Sequence, residues 1–238
     1  MSSRSARAPR GRRPPAFAPS ESSHQEDTPG PAGGVFVSDA VSVVRVSQLS
    51  FFSAESVPPT VEDLTGLLAA HGQVVLTGGE ARLSIVVDAL WRARELAVMI
   101  TEVGLQAEIL RTDEDTPLVR TGMDSRLAGI AADWTRGAVK TVPGNWLPGA
   151  RELRAWTLAA GTPEAADRYL LGLDPHAPDT HPVLASALMR VGIAPTLIGT
   201  RGSRPALRVS GRRRLSRLVE NVGEPPDDTE AFAQWPRI

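Results

Sequence analysis

The sequence repeats itself once, about ninety residues apart, and no other feature limits the fold so tightly. With Gly104 set on Gly192, Leu96-Ala97 falls on Leu184-Ala185, Val103 on Val191, Leu105 on Ile193, and Ile109-Leu110 on Leu197-Ile198, all at an offset of 88. Upstream, Arg82-Leu83 meets Arg168-Tyr169 and Asp88 meets Asp174 at 86; downstream, Leu118 meets Leu207 and Gly122 meets Gly211 at 89. This slow drift is what changes in loop length produce. Two related halves predict a pseudo-two-fold unit, and duplex DNA is a common near-symmetric ligand for such a unit.

Patterning assigns each half the order helix, strand (with a second strand allowed), helix, two strands, helix. In the first half a helix over 60–71, capped by Thr60, stops at Gly72. The strand ARLSIVVD puts Leu83, Ile85 and Val87 on one face and Arg82 and Ser84 on the other. An amphipathic helix over 89–103 shows Leu90, Ala93, Leu96, Ala97, Ile100 and Val103 as one stripe. The strands LQAEILR and TPLVRT follow, joined by an acidic turn at 112–115, and a helix over 124–134 completes the half. ARELRAWTLAAG, DRYLLGLD, THPVLASALMRVG, APTLIGT, RPALRVS and RRRLSRLVENVG replay the series. The expected organisation is a Pro/Ser/Gly/Arg-rich disordered arm over 1–34, extra β-branched strand(s) over 35–59, a first repeat over 60–138, a linker over 139–150, a second repeat over 151–223 and an acidic tail over 224–238.

Composition excludes several classes. There is no cysteine, so disulfides and thiolate metal sites are out, which fits a reducing cytoplasm. The four histidines have no metal-ligand spacing on a helix, and no apolar run is long enough for a membrane span. The net charge of −1 hides a division: 35–138 holds 8 basic and 14 acidic residues, and 139–223 holds 12 basic and 6 acidic. A basic half suits a polyanion. Yet Lys140 is the only lysine against 25 arginines, a codon-bias pattern that supplies arginine whatever the function.

Two α/β halves, each opened by a small-residue-rich helix ending in Gly, resemble the LAGLIDADG fold. Here the opening helices end LLAAHG (67–72) and WTLAAG (156–161), their glycines 89 apart. Within that fold the chain is most similar to the N-terminal domain of the WhiA family of actinobacterial sporulation regulators. The stretches RELRAWTLAAG, RYLLGLD, PVLASALMRVGI and ALRVSGRRRLSRLVENVG carry that resemblance, which covers about 61–223. It implies an α+β fold of two pseudo-symmetric LAGLIDADG-like α/β repeats, with antiparallel sheets packed through central helices. It also implies DNA bound on the open face of a saddle-shaped sheet. Active nucleases of this fold carry an acid just before the final Gly of each opening helix, where divalent metals bind; those positions are His71 and Ala160 here. The expectation is a non-enzyme with no catalytic residue, metal or cofactor, although His71 stays a candidate for residual chemistry. The WhiA family adds a helix-turn-helix region, for which about fifteen residues after Gly223 leave no room.

The DNA-binding candidates are Arg201 in the last hairpin turn, Arg204 and Arg208 on the polar face of RPALRVS, and Arg212, Arg213, Arg214 and Arg217 on the last helix. Alternation turns Leu207 and Val209 to the core and leaves Arg208 outside; a solvated sheet face shows the same pattern. Three arginines at a helix N-terminus oppose its dipole unless an anion is present. Trp134, Trp146 and Trp156 read as packing residues rather than base-stacking platforms. The reading is a DNA-binding, transcription-regulatory protein acting through its second half, alone or with a partner regulator protein. The alternative is a protein-interaction module without DNA contact, favoured by the acidic turn Asp113-Glu114-Asp115, which also allows head-to-tail homo-oligomers.

Overall fold

Gly66 sets how closely the two halves of this protein approach. A Cβ at this position would stand 2.1 Å from the Glu152 carbonyl oxygen and 2.8 Å from the Ala155 methyl. The computed structural model describes residues 58–199, 202 and 204–238, all in the compact unit Ser47–Ile238. The expected arm over 1–34, most of the extra-strand segment and Arg201 lie outside the described residues.

In the first half a 3-10 turn at Val61–Leu64 runs into α1 (Thr65–Ala69), followed by β1 (Gln73–Thr77), β2 (Glu80–Val86), α2 (Leu90–Glu102), β3 (Ala107–Arg111), β4 (Pro117–Thr121), α3 (Ala128–Trp134), β5 (Thr135–Arg136) and β6 (Val139–Lys140). The second half holds α4 (Ala150–Ala160), β7 (Gly161–Ala165), β8 (Arg168–Gly172), α5 (Thr180–Arg190), β9 (Thr196–Ile198), β10 (Ala206–Ser210) and α6 (Arg212–Val222), and α7 (Thr229–Gln234) follows. The main sheets are antiparallel with matching orders, β1-β2-β4-β3 and β7-β8-β10-β9. The fold is therefore α+β, with two related repeats joined through α1 and α4.

The glycines that anchor the sequence repeat do the same work twice. Gly104 and Gly192 have φ of 75° and 84° and close α2 and α5. The next N–H, of Leu105 or Ile193, bonds back to Ile100 or Leu188 at 3.1 and 2.9 Å. This is the left-handed helix stop that glycine makes cheaply. The core joins Leu64, Leu67 and Leu68 to Leu153, Trp156 and Leu158, all at most 2% exposed, each contributing roughly 1.5–3 kcal/mol.

Four sequence expectations change. Patterning treated β1 and β7 as optional or absent. QVVLT sits directly after a helix-stopping Gly72, and GTPEA contains Gly and Pro, which are poor strand formers. The match of Leu118 with Leu207 is one residue out. Val119 and Leu207 are the buried pair, at 1% and 0% exposure, and with a period of two a one-residue slip moves a side chain to the other face. The 139–150 segment is packed structure rather than a linker: Lys140 lies in β6, and Trp146 touches Trp134 (5.1 Å between ring centroids) and Trp156 (6.3 Å). The 224–238 segment is likewise no free tail. α7 is capped by Asp228, and Trp235, 3% exposed, donates to the Gly223 carbonyl. The acidic composition that reads as a solvated tail belongs to the outer face of a strap whose inner face carries Ala231 and Trp235.

Gly66→Ala is expected to cost about 3 kcal/mol or more, because backbone, which cannot turn aside, meets the new methyl. Urea unfolding of the variant against wild type measures this.

Candidate nucleic-acid interface

Each sheet has one face covered by helices and one open. In the second sheet Tyr169, Leu171, Leu207 and Val209 point to the core. The alternating residues Arg168, Leu170 and Arg208 take the open face, with Arg208 opposite Leu170 and Ser210 opposite Arg168. In the first sheet Leu83, Ile85 and Val119 are covered, and Arg82, Ser84 and Arg120 are open. The arginines therefore come in matched positions, Arg82 with Arg168 and Arg120 with Arg208. The sequence reading had Arg208 but not its counterpart Arg120, because the misaligned Leu118 turned the register of β4.

Two of these arginines are held by neighbouring acids. Arg120 bonds Glu108 at 2.6 Å and Arg208 bonds Glu164 at 2.5 Å, all four side chains partly exposed. Such exposed pairs contribute only about 0–1 kcal/mol, so a phosphate can compete for either guanidinium. The halves differ at their hairpin turns. The β3–β4 turn presents exposed Asp113, Glu114 and Asp115, whereas exposed Arg204 leads into β10. Gly199, at φ 69°, makes room for the Arg204 backbone, since a Cβ there would stand 2.3 Å from its carbonyl oxygen.

Among the described residues, the six arginines read from sequence besides Arg201 do not form one surface. α6 turns Leu215, Leu218 and Val222 inward and packs on the covered face of the sheet, the face opposite Arg208. Arg212, Arg213, Arg214 and Arg217 are exposed on this helix. Strand alternation and helix position were each legible in sequence, but the side of the sheet on which α6 packs was not.

Sequence reasoning missed the cations at the ends of the opening helices. Lys140 is buried against the end of α1, where its Nζ donates to the carbonyls of Ala70 (2.7 Å) and Gly72 (2.9 Å) and to Asp174 Oδ2 (3.1 Å). Arg92, 1% exposed, does the same at the end of α4. It donates to the carbonyls of Thr157 (3.1 Å), Leu158 (2.9 Å) and Gly161 (2.6 Å) and to Gln234 Oε1, and it pairs with Asp88. A helix C-terminus carries partial negative charge, which a cation satisfies. The aligned acids Asp88 and Asp174 are the counter-charges of these two caps. His71 Nε2 bonds the Val86 carbonyl at 2.7 Å, a structural role, and Ala160 brings no ligand atom. The centre does not fit a divalent metal: the carbonyl oxygens at both helix ends already face fixed cations, and among the described residues no cluster of three His, Asp or Glu could hold an ion.

Burial, only partly offset by Asp174, pulls the Lys140 ammonium down to about 8. Burial raises the Asp174 carboxyl, but the Lys140 charge, the His176 N–H and the Gln73 amide outweigh it and hold the carboxyl below its usual value. Both groups are therefore charged at pH 7.

No protein-family model matches the sequence, and no curated protein matches it. Solved structures do resemble the fold. The homing endonuclease I-WcaI bound to its DNA recognition sequence superposes with a TM-score of 0.51 at 10% identity, over 68% of this chain and 79% of that one. The N-terminal LAGLIDADG domain of DUF199/WhiA gives 0.47 at 14% identity, over 69% and 82%. Full-length DUF199/WhiA from Thermatoga maritima gives 0.49 at 14% identity, over 72% of this chain and 56% of that one. The architecture is thus of the LAGLIDADG type, and at these identities the likeness is one of fold.

Asp174→Asn strips the buried Lys140 of its counter-charge and is expected to cost about 3–5 kcal/mol at pH 7. The folded carboxyl lies below its unfolded value, so its contribution is complete above about pH 5 and is lost as the pH falls through the carboxylate range. Urea titrations at successive pH values should show a shallower acid loss for Asp174→Asn than for wild type.

Proposed function

We propose that this chain is a non-enzymatic, transcription-regulatory DNA-binding protein that holds a duplex on the open face of its second sheet, with Arg204, Arg208 and Arg168 meeting phosphates or base edges. Arg201, in the same hairpin turn by sequence, joins that set. The observation that carries this reading is the pairing of open-face arginines at matching register positions, Arg82 with Arg168 and Arg120 with Arg208. It stands on a fold shared with I-WcaI, which is bound to its DNA recognition sequence. The second half leads the contact because its hairpin turn is basic where the first is acidic. Arg212, Arg213, Arg214 and Arg217 lie on the covered side and take no part in this grip. The closed helix ends support binding without cleavage.

A second reading, a protein-interaction module acting on a partner regulator, is favoured by Glu108 and Glu164, which already occupy two of the arginines. Salt separates the two, because phosphate contacts release counterions and weaken steeply with salt whereas an apolar interface does not.

Binding of the whole chain to a labelled random duplex at low and physiological salt tests the proposal. Arg204→Ala with Arg208→Ala should weaken binding by about tenfold or more and lower the salt slope by about 2, without changing the melting temperature. Unchanged affinity, or no binding at low salt, overturns the assigned face. Plasmid cleavage that needs magnesium and stops on chelation overturns the non-enzymatic part.

A further inference from the structure

Two of the α6 arginines that the sheet face leaves unused, Arg213 and Arg217, line a feature of their own. Between the last turn of α5 and the outer side of α6 lies a cleft of about 770 Å³, lined by three arginines, Arg190, Arg213 and Arg217, and one acid, Glu220, beside Val191 and Gly192. Arg92, Arg111, Arg120, Arg126 and Arg208 each have a carboxylate within 2.9 Å. The cleft arginines do not. Arg190 has a 3.4 Å bond to the Gly144 carbonyl, Arg217 has Glu220 at 3.8 Å, and Arg213 has no partner among the described residues.

The arrangement costs stability without an anion. Arg213 and Arg217 are like charges at i and i+4, and Arg213 sits in the first turn of α6, against the helix dipole. Carboxylates in the cleft reverse both terms, since guanidinium forks match carboxylates in bidentate fashion.

We infer that this cleft is a docking site for an acidic segment of a partner protein, with successive Asp or Glu side chains seated between Arg190, Arg213 and Arg217. The alternative anion, duplex DNA, fits less well. The cleft is concave, scaled to a few side chains, and lies on the helix side of the sheet, away from Arg208. The inference does not depend on the DNA reading.

The test uses the full chain and a fluorescent peptide of alternating Asp and Glu, read by anisotropy at low salt. The double variant Arg213→Glu/Arg217→Glu, at two exposed positions, should bind the peptide at least about tenfold more weakly while melting like wild type. Arg208→Ala should leave peptide binding unchanged, and excess random duplex should not displace the peptide. Arg190→Glu provides an independent repeat from the other wall. Absence of peptide binding, equal binding by the charge-reversed variants, or stoichiometric displacement by duplex overturns the inference; the last result makes the cleft a nucleic-acid contact.

Discussion

The contact on which the rest of the molecule depends is the crossing of α1 and α4 at Gly66. Glycine there lets one helix backbone rest on the other, with Ala155 and the Trp156 amide as the opposing surface. Leucines on both sides then bury completely, and two four-stranded sheets, neither able to cover its own apolar face, come to share one core. The same closeness draws the end of each opening helix into the interior, away from the water that would otherwise satisfy its last carbonyls.

Lys140 and Arg92 answer that need, and both answers reach across the boundary between the halves. Arg92 belongs to the first half and caps the opening helix of the second. Asp174 belongs to the second half and balances the cation that caps the opening helix of the first. Arg151 adds a third tie, from the first turn of α4 to Asp63 and Glu102 in the first half. Each repeat thus finishes a helix or an ion pair of the other, and the pseudo-two-fold unit is one cooperative body rather than two modules in contact. The ends of the two opening helices are thus closed by internal charge balance, Lys140 with Asp174 and Arg92 with Asp88.

The repeat was legible in sequence because its markers, Gly104 and Gly192, report a local backbone need that the chain meets twice. Helices with stripes, such as α2 and α5, were legible for the same reason. β1 and β7 were harder, since each follows a helix end with little to distinguish strand from turn. The open-face role of Arg208 came from period-two alternation. Arg120 was lost to a one-residue slip, which alternation punishes by inverting the face. The helix caps were not legible at all. A lone lysine in a Pro/Gly-rich stretch and an arginine inside an amphipathic helix carry no local sign that distant carbonyls will surround them. The separation of Arg208 from the α6 arginines likewise depends on which side of a sheet a helix lands, a tertiary fact.

The strap formed by α7 has a consequence for how the chain reaches this state. Gln234 accepts from Arg92 through its side chain and from the Tyr169 hydroxyl through its carbonyl, joining residues 142 positions apart. Contacts of such separation are slow to form, and on a ribosome they wait until residues beyond 234 have cleared the exit. Until then the buried guanidinium of Arg92 lacks one acceptor and Tyr169 lacks its cover. Seating of the strap therefore needs α2 of the first half and β8 of the second in place together, so that its closure reports on the assembly of both.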